Sequence, residues 1–371
     1  MEKVLNETSV RTANNFGIND IKIDLQQPEI KEFENSMIIS DEIDKLDISI
    51  SNSISNDFVP NRIGLEISKN YGIDITVPKG TNIKNAVLLN FEFDEDNMTL
   101  IDEIKINLEE NSSANFIIKY SSNNCENSNC KKYKNCSKVS EISSDYESQS
   151  NFHFLKQTIH AKENSKSKIV IANLLNEKSN SFIAIENELE ENANIEHTLI
   201  EFGGSTRVSN YYSKMQGNFS QNDIKTVYLG KHNDILDINY NIEEYGRKTK
   251  CNINVQGALA GNSHKNFKGI IDFKQGSKES KGFENENCTL LSNTAKSKSL
   301  PVLLCHEEDV EGQHGVASGK IDESKLFYIM TKGISYEDAK KLIVKANFNE
   351  IIKSINNEEL ENEITQIIDE L

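Results

Sequence analysis

Between Arg62 and Lys320 the chain keeps returning to one pattern: a short run of alternating apolar and polar residues, a tight polar corner, then another such run. The runs include IDITV (73–77), EIKIN (103–107), NFIIKY (115–120), SKIVIAN (167–173), SFIAIEN (181–187), KTVYL (225–229), CNINV (251–255) and GIIDF (269–273). A period of two over these lengths is the signature of half-buried β-strands. The corners repeat as well. LEENSSANF (108–116) and LEENANIEH (189–197) share a Leu-Glu-Glu-Asn opening, AKENSKSKI (161–169) keeps Glu-Asn-Ser, and VPKGTNI (77–83) and FKQGSKE (273–279) turn on glycine. Asn and Gly tolerate the left-handed backbone that sharp corners require. Strands and corners that recur without helices between them, at uneven spacing, predict a mainly β fold, an irregular β-solenoid whose rungs bury their apolar faces on one another. A β-sandwich built from the same strands is the alternative.

The flanks differ from this core. Residues 1–58 are polar and irregular, an arm or small helical region with an amphipathic helix expected near Asp41 to Leu46 and a link, SNSISND (51–57). The β core is expected over 59–319, interrupted at about 121–151 by a polar, cysteine-bearing insertion. Over 320–371 the period becomes helical. Asp322 can cap a helix with Leu326, Phe327 and Met330 on one side, ended by Gly333; Ser335 with Asp338 resembles a capping box. The following helix has Ala339, Leu342, Ile343 and Ala346 as its apolar positions, and a last one has Leu360, Ile364, Ile367, Ile368 and Leu371.

A balance of 58 acidic against 41 basic residues, net charge −17, argues against a nucleic-acid partner, because that affinity comes from clustered Lys and Arg. No apolar run approaches the roughly 20 residues of a membrane helix, and MEKVLNETSV has no signal-peptide pattern; a cytoplasmic protein with no membrane partner is expected. Six cysteines in 371 residues are not a disulfide framework.

Chemistry-bearing motifs are few. GVASGKI (315–321) looks like a phosphate loop but has three residues between its glycines and Ile321 after Lys320, where a Walker loop needs four residues and Ser or Thr. Cys125, Cys130 and Cys136 can gather soft ligands for zinc or an iron–sulfur cluster. Their nearest fourth ligand is His153, with Cys251, Cys288 or Cys305 reachable only through folding; a loop with incidental thiols is the alternative. His314 follows Cys305, His306, Glu307, Glu308, Asp309 and Glu311. Imidazole and carboxylate together can hold iron or another divalent metal, and an alternating strand puts every second one on one face; a solvated surface is the plainer reading.

Pro301 followed by EEDVEGQHGVASGKIDESKLFYIMTKGISYEDAKKLIVKANF (307–348) resembles the C-terminal signature of the SufB/SufD family of iron–sulfur cluster assembly proteins. YGIDITVPKGTNIKNAVLL (71–89) is similar to that family's entry into its β core, and GNSHKNFKGIIDFKQGS (261–277) with CTLLSNTAKSKSLP (288–301) is similar to its last rungs. The His-Gly pair at 314–315 resembles SufD-type chains; SufB-type chains usually carry His-Glu there and a cysteine in the loop before the proline, which LLSNTAKSKSLP (290–301) lacks. The resemblance implies a right-handed parallel β-helix with N- and C-terminal helical flanks, acting as a non-catalytic scaffold. It implies pairing with a SufB-like subunit through the β-helices, or a homodimer in its place. A SufC-type ATPase would dock on the C-terminal helices around Phe327, Tyr328, Gly333 and Ile334, and its ATP-driven dimerisation would strain the paired subunits. His314 would contribute to cluster assembly, as neutral imidazole is a good iron ligand. No tightly bound cofactor is implied, only transient iron or an iron–sulfur cluster at the partner interface. In one departure, Gly312 stands where many SufD-type chains have a cysteine. The competing readings are a metal-dependent enzyme using His306, His314 and nearby acids, and a purely structural solenoid.

Overall fold

The computed structural model describes residues 2–8, 10, 16–19, 21–24, 28–55, 57–122 and 150–371. Four short strands come first: β1 (Glu2–Val4), β2 (Lys22–Asp24), β3 (Ser36–Ile39) and β4 (Asp47–Ser51). Longer strands follow and alternate between two sheets. One sheet takes β5 (Tyr71–Val77), β7 (Thr99–Leu108), β9 (Phe152–Ala161), β11 (Asn180–Leu189), β13 (Thr206–Met215), β15 (Ile235–Glu244), β17 (His264–Phe273) and β19 (Lys296–Cys305). The other takes β6 (Val87–Phe93), β8 (Phe116–Ser122), β10 (Lys166–Leu174), β12 (Asn194–Glu201), β14 (Gln221–Gly230), β16 (Lys250–Leu259), β18 (Ser280–Leu290) and β20 (Val310–Lys320). Within each sheet these strands lie in chain order and parallel, so every strand pairs with the one a full turn away. In the register Lys166, Asn194, Gln221, Lys250, Lys281 and Glu311 stand in one column, so a turn takes 27 to 31 residues. This is a parallel β-helix. A sandwich is ruled out, because successive strands lie in different sheets and pair only with the strand one coil on.

The corners explain how the coil closes. Gly80, Asn111, Asn164, Asn192, Phe219, Lys248 and Glu279 occupy equivalent corner positions with φ between 55° and 72°. Each donates its N–H to a carbonyl of the next turn, as Asn111 does to Glu163 at 2.9 Å and Asn164 to Glu191 at 3.0 Å. Three of the asparagines stack: Asn192 Nδ2 donates to Asn164 Oδ1 at 2.7 Å and Asn164 Nδ2 to Asn111 Oδ1 at 3.2 Å. The Leu-Glu-Glu-Asn and Glu-Asn-Ser repeats are therefore one structural position seen on successive turns.

Alternation along the strands sends one set of side chains into the lumen, where Ile75, Ile106, Ile159, Ile185, Tyr211 and Ile242 belong to one continuous buried core. The outer faces are covered by the flanks. Leu5, Ile21, Ile23, Val59 and Ile63 pack on Phe154, Phe182 and Val208 of the odd-numbered strands. Helices α2 (Tyr336–Lys353) and α3 (Glu358–Asp369) lay Val344, Phe348, Ile352, Ile364 and Ile368 on Val170, Ile200, Val227 and Leu229 of the even-numbered strands. At about 25 cal/mol per Å² of apolar area, these covers hold both flanks to the coil.

Two details differ from the sequence expectation. The helix expected at Asp41 to Leu46 is a single 3-10 turn, Ile43–Lys45, followed directly by β4. On α2 only Ala339 of the expected face is buried, Leu342 and Ala346 are exposed, and Val344, Phe348, Ile351 and Ile352 do the packing. The helix is apolar around more than half its girth, and the sheet selects the side that follows its surface.

The two ends of the coil are unlike. At the start, the short strands β3 and β4 pair antiparallel with β6 and β5 as the outermost strands there, and Phe33 and Leu46 are buried in the core of the coil. At the finish, β19 and β20 are the outermost strands, with no described strand beyond them.

Candidate functional site at the open end of the coil

His314 lies on β20, every residue of which is exposed except Val310. On β18 the buried positions alternate through Ser280, Gly282, Glu284, Glu286 and Cys288, which are the lumen positions. Glu284 is in register with His314, and Glu286 with Val316. Register neighbours on parallel strands point to the same face, about 5 Å apart. His314 therefore belongs to the lumen-facing row and is exposed because the coil stops there.

Beneath it the lumen is polar. Glu286 accepts from Lys265, from Ser299 Oγ at 2.5 Å and from Tyr228 at 3.2 Å, and Lys265 also donates to Ser299 Oγ at 2.9 Å. Glu284 has none of this. It is 3% exposed, neither carboxylate oxygen has a hydrogen-bond partner among the described residues, and burial, followed by the repulsion of Glu286, pushes its pKa up to about 8. Its carboxylate occupies the space left by Gly269 on β17: a Cβ there would lie 2.1 Å from Glu284 Oε1. Pro301 is the register neighbour of Gly269 on β19.

The residues before His314 do not form the alternating strand that their spacing allowed. Cys305 ends β19, in the opposite sheet, and His306 to Asp309 make the turn into β20. His306 Nε2 is 3.6 Å from Asp272 Oδ1, and Glu307 accepts from the Gly276 N–H at 3.1 Å. Among the described residues no group of three or more His, Cys, Asp or Glu is arranged to hold a metal ion. Cys251 and Cys288 are buried and Cys305 is exposed. His153 is fully buried against Ser181 Oγ at 2.9 Å and packs on Tyr120. Cys125, Cys130 and Cys136 lie outside the described residues.

After β20 the chain enters α1 (Glu323–Met330), where Asp322 accepts from Ser324 N–H at 2.9 Å. Only Leu326 of this helix is buried. Phe327 is 70% exposed and Tyr328 63%, and Met330, Tyr336 and Leu342 are exposed as well. Gly333, at φ 86°, turns the chain, with Ile334 half-buried beside it. Ser335 Oγ accepts from the Asp338 N–H at 3.1 Å, the N-cap half of the capping box expected from the sequence, while the Asp338 carboxylate accepts from the Ser335 hydroxyl at 2.6 Å. No helix among the described residues is long and apolar enough to cross a membrane.

Fold and site together define a β-helix whose core is covered at its first turn and exposed at its last, with a helical tail that runs back from the open end along the outer face of the even-numbered strands. Residues 91–347 match the family described as SUF system FeS cluster assembly, SufBD core domain, and the chain belongs to that family. It is 23% identical over 162 residues to the iron–sulfur cluster assembly protein SufD of Bacillus subtilis, covering 44% of this chain and 37% of that protein. It is 24% identical over 164 residues to SufD of Escherichia coli, covering 44% and 38%. With the SufBD family protein ycf24 of Galdieria sulphuraria it shares 25% over 166 residues, covering 45% and 75%. The match thus spans under two fifths of either SufD relative. The sequence resemblance named the same family. Glu284 and Gly269 were not found from the sequence, since only the register brings Glu284 beside a histidine 30 residues on.

Proposed function

We propose that this chain is a non-catalytic, SufD-like scaffold subunit of a cytoplasmic iron–sulfur cluster assembly complex. Its partners in that reading are a SufB-like subunit at the open end of the coil and a SufC-type ATPase on the helical tail. The observation that carries it is the asymmetry of the coil: at its first turn Phe33 and Leu46 are buried in the core, while at its last, among the described residues, β19 and β20 are outermost and His314 lies exposed in the lumen-facing row. An unpaired strand edge is a ready template for pairing with another chain unless the protein blunts it. A partner seated there meets His314 directly, and neutral imidazole suits iron handed over as cargo. Phe327 and Tyr328, exposed on a short capped helix, are the kind of aromatic anchors that dominate binding surfaces. Since GVASGKI lacks Walker spacing, ATP hydrolysis falls to the docked subunit. Its ATP-driven closure would pull on the tail and open the joint where the cluster forms.

Co-expression with SufB-type and SufC-type proteins of the same source, purification through this chain, and assay of iron and acid-labile sulfide test the reading. A stoichiometric three-component complex is expected, and His314→Ala should leave the complex intact while cluster content falls to a small fraction. Recovery of this chain as a homodimer, or alone, would overturn the heterocomplex.

A further inference from the structure

We infer that Glu284 is a second ligand, beside His314, for a divalent metal ion at the open end of the coil. This rests on the reading of His314 above and extends it to a residue one turn inside the lumen. Three observations carry it. The Glu284 carboxylate is buried at 3% exposure with both oxygens unpartnered, whereas Glu286, two residues on, is satisfied by Lys265, Ser299 and Tyr228. An acid taken out of water with nothing to bond to is costly, so its place needs a compensating group. Second, the register sets Glu284 and His314 side by side on the same face of adjacent strands, whose backbones lie about 5 Å apart, so that both side chains can reach one metal ion. Third, Gly269 on the facing sheet leaves the room in which that carboxylate sits.

The donor set is one carboxylate and one imidazole, which suits a borderline divalent ion such as Fe2+. Two protein ligands make half a coordination sphere. The remaining positions face the open end, where water or a partner subunit would supply them. Glu284 acts here as a ligand, with no covalent or redox step assigned to it.

The test uses the purified full-length chain and Co2+ alone as an optical stand-in for Fe2+, followed by its visible d–d absorption and by calorimetry. Wild type, His314→Ala, Glu284→Gln and Gly269→Ala are compared. Glu284→Gln keeps the volume and imitates the neutral acid, so it should fold as wild type does. One Co2+ per chain is expected for wild type, with binding weakened about tenfold or more in both His314→Ala and Glu284→Gln. Gly269→Ala, which removes no ligand but displaces the carboxylate, should weaken binding as well. Loss in His314→Ala with wild-type binding in Glu284→Gln would overturn the role of Glu284 while leaving that of His314. No Co2+ bound by wild type, or equal binding by all four proteins, would overturn the metal site itself, and cluster content in the His314→Ala complex would then decide separately on the function proposed for His314.

Discussion

Glu244 is a buried acid held by neutral donors: the Thr249 hydroxyl donates to its carboxylate and the Cys251 thiol bonds to it. Burial outweighs both bonds and pushes its pKa up to about 7, from an ordinary value of 4.5. Between those two values the folded chain keeps a proton that the unfolded chain releases. The contribution is therefore fully present below pH 4.5 and is lost as pH rises towards 7. At about 1.4 kcal/mol per pH unit the loss is roughly 3 kcal/mol. Urea unfolding of wild type and Glu244→Gln at pH 5 and pH 7.5 measures it. The variant should lose roughly 2 kcal/mol less than wild type between the two pH values, and equal losses would mean that Glu244 is already ionised in the folded chain.

At the scale of single elements, the tail separates packing from recognition. Val344, Phe348, Ile364 and Ile368 hold α2 and α3 on the sheet, while Phe327 of α1 is exposed and Ile334 only half-buried. Replacing Phe327 and Ile334 together by Asp should therefore lower the melting temperature little, since surface changes usually cost within about 0.5 kcal/mol each. The same double variant should abolish capture of a SufC-type ATPase in a pull-down; undiminished capture would give the helical tail another use. The contrast bears on what the sequence could reveal. Strands such as β5 and β16 are legible because each is paired on both sides and its apolar residues alternate between lumen and outer face. β20 is not, because no described turn lies beyond it, so its lumen row reads Gly312, His314, Val316 and Ser318 without an apolar alternation. The buried face of α2 differs from the expected one because Leu342 and Ile343 fit a helical period as well as Val344 does, and only the docked sheet decides between them. Caps stayed legible, since Asp322 and Ser335 act through bonds within three residues.

For the molecule as a whole, the open end and the net charge point the same way. A chain of net charge −17 meeting a second copy of itself would oppose like charge to like, and that repulsion is strongest at low ionic strength. Val316 is the apolar residue of the exposed lumen row, 37% exposed and in register with the satisfied Glu286. A partner completing the coil would bury it, and an aspartate there would bring an unpaired charge into the joint beside an existing carboxylate. Val316→Asp should thus weaken pairing with a SufB-type subunit about tenfold or more, a cost of at least about 1.4 kcal/mol. Capture of the ATPase through α1, which lies on the tail, should stay at the wild-type level and serve as the check that the variant is folded. Sedimentation of the purified chain with and without the SufB-type subunit, at low and at high salt, reads both effects. Wild type should sediment alone as a monomer at low salt and shift with the partner, whereas the variant should not shift. A tight low-salt dimer of the wild-type chain by itself, disrupted by Val316→Asp, would instead assign the open end to a second copy.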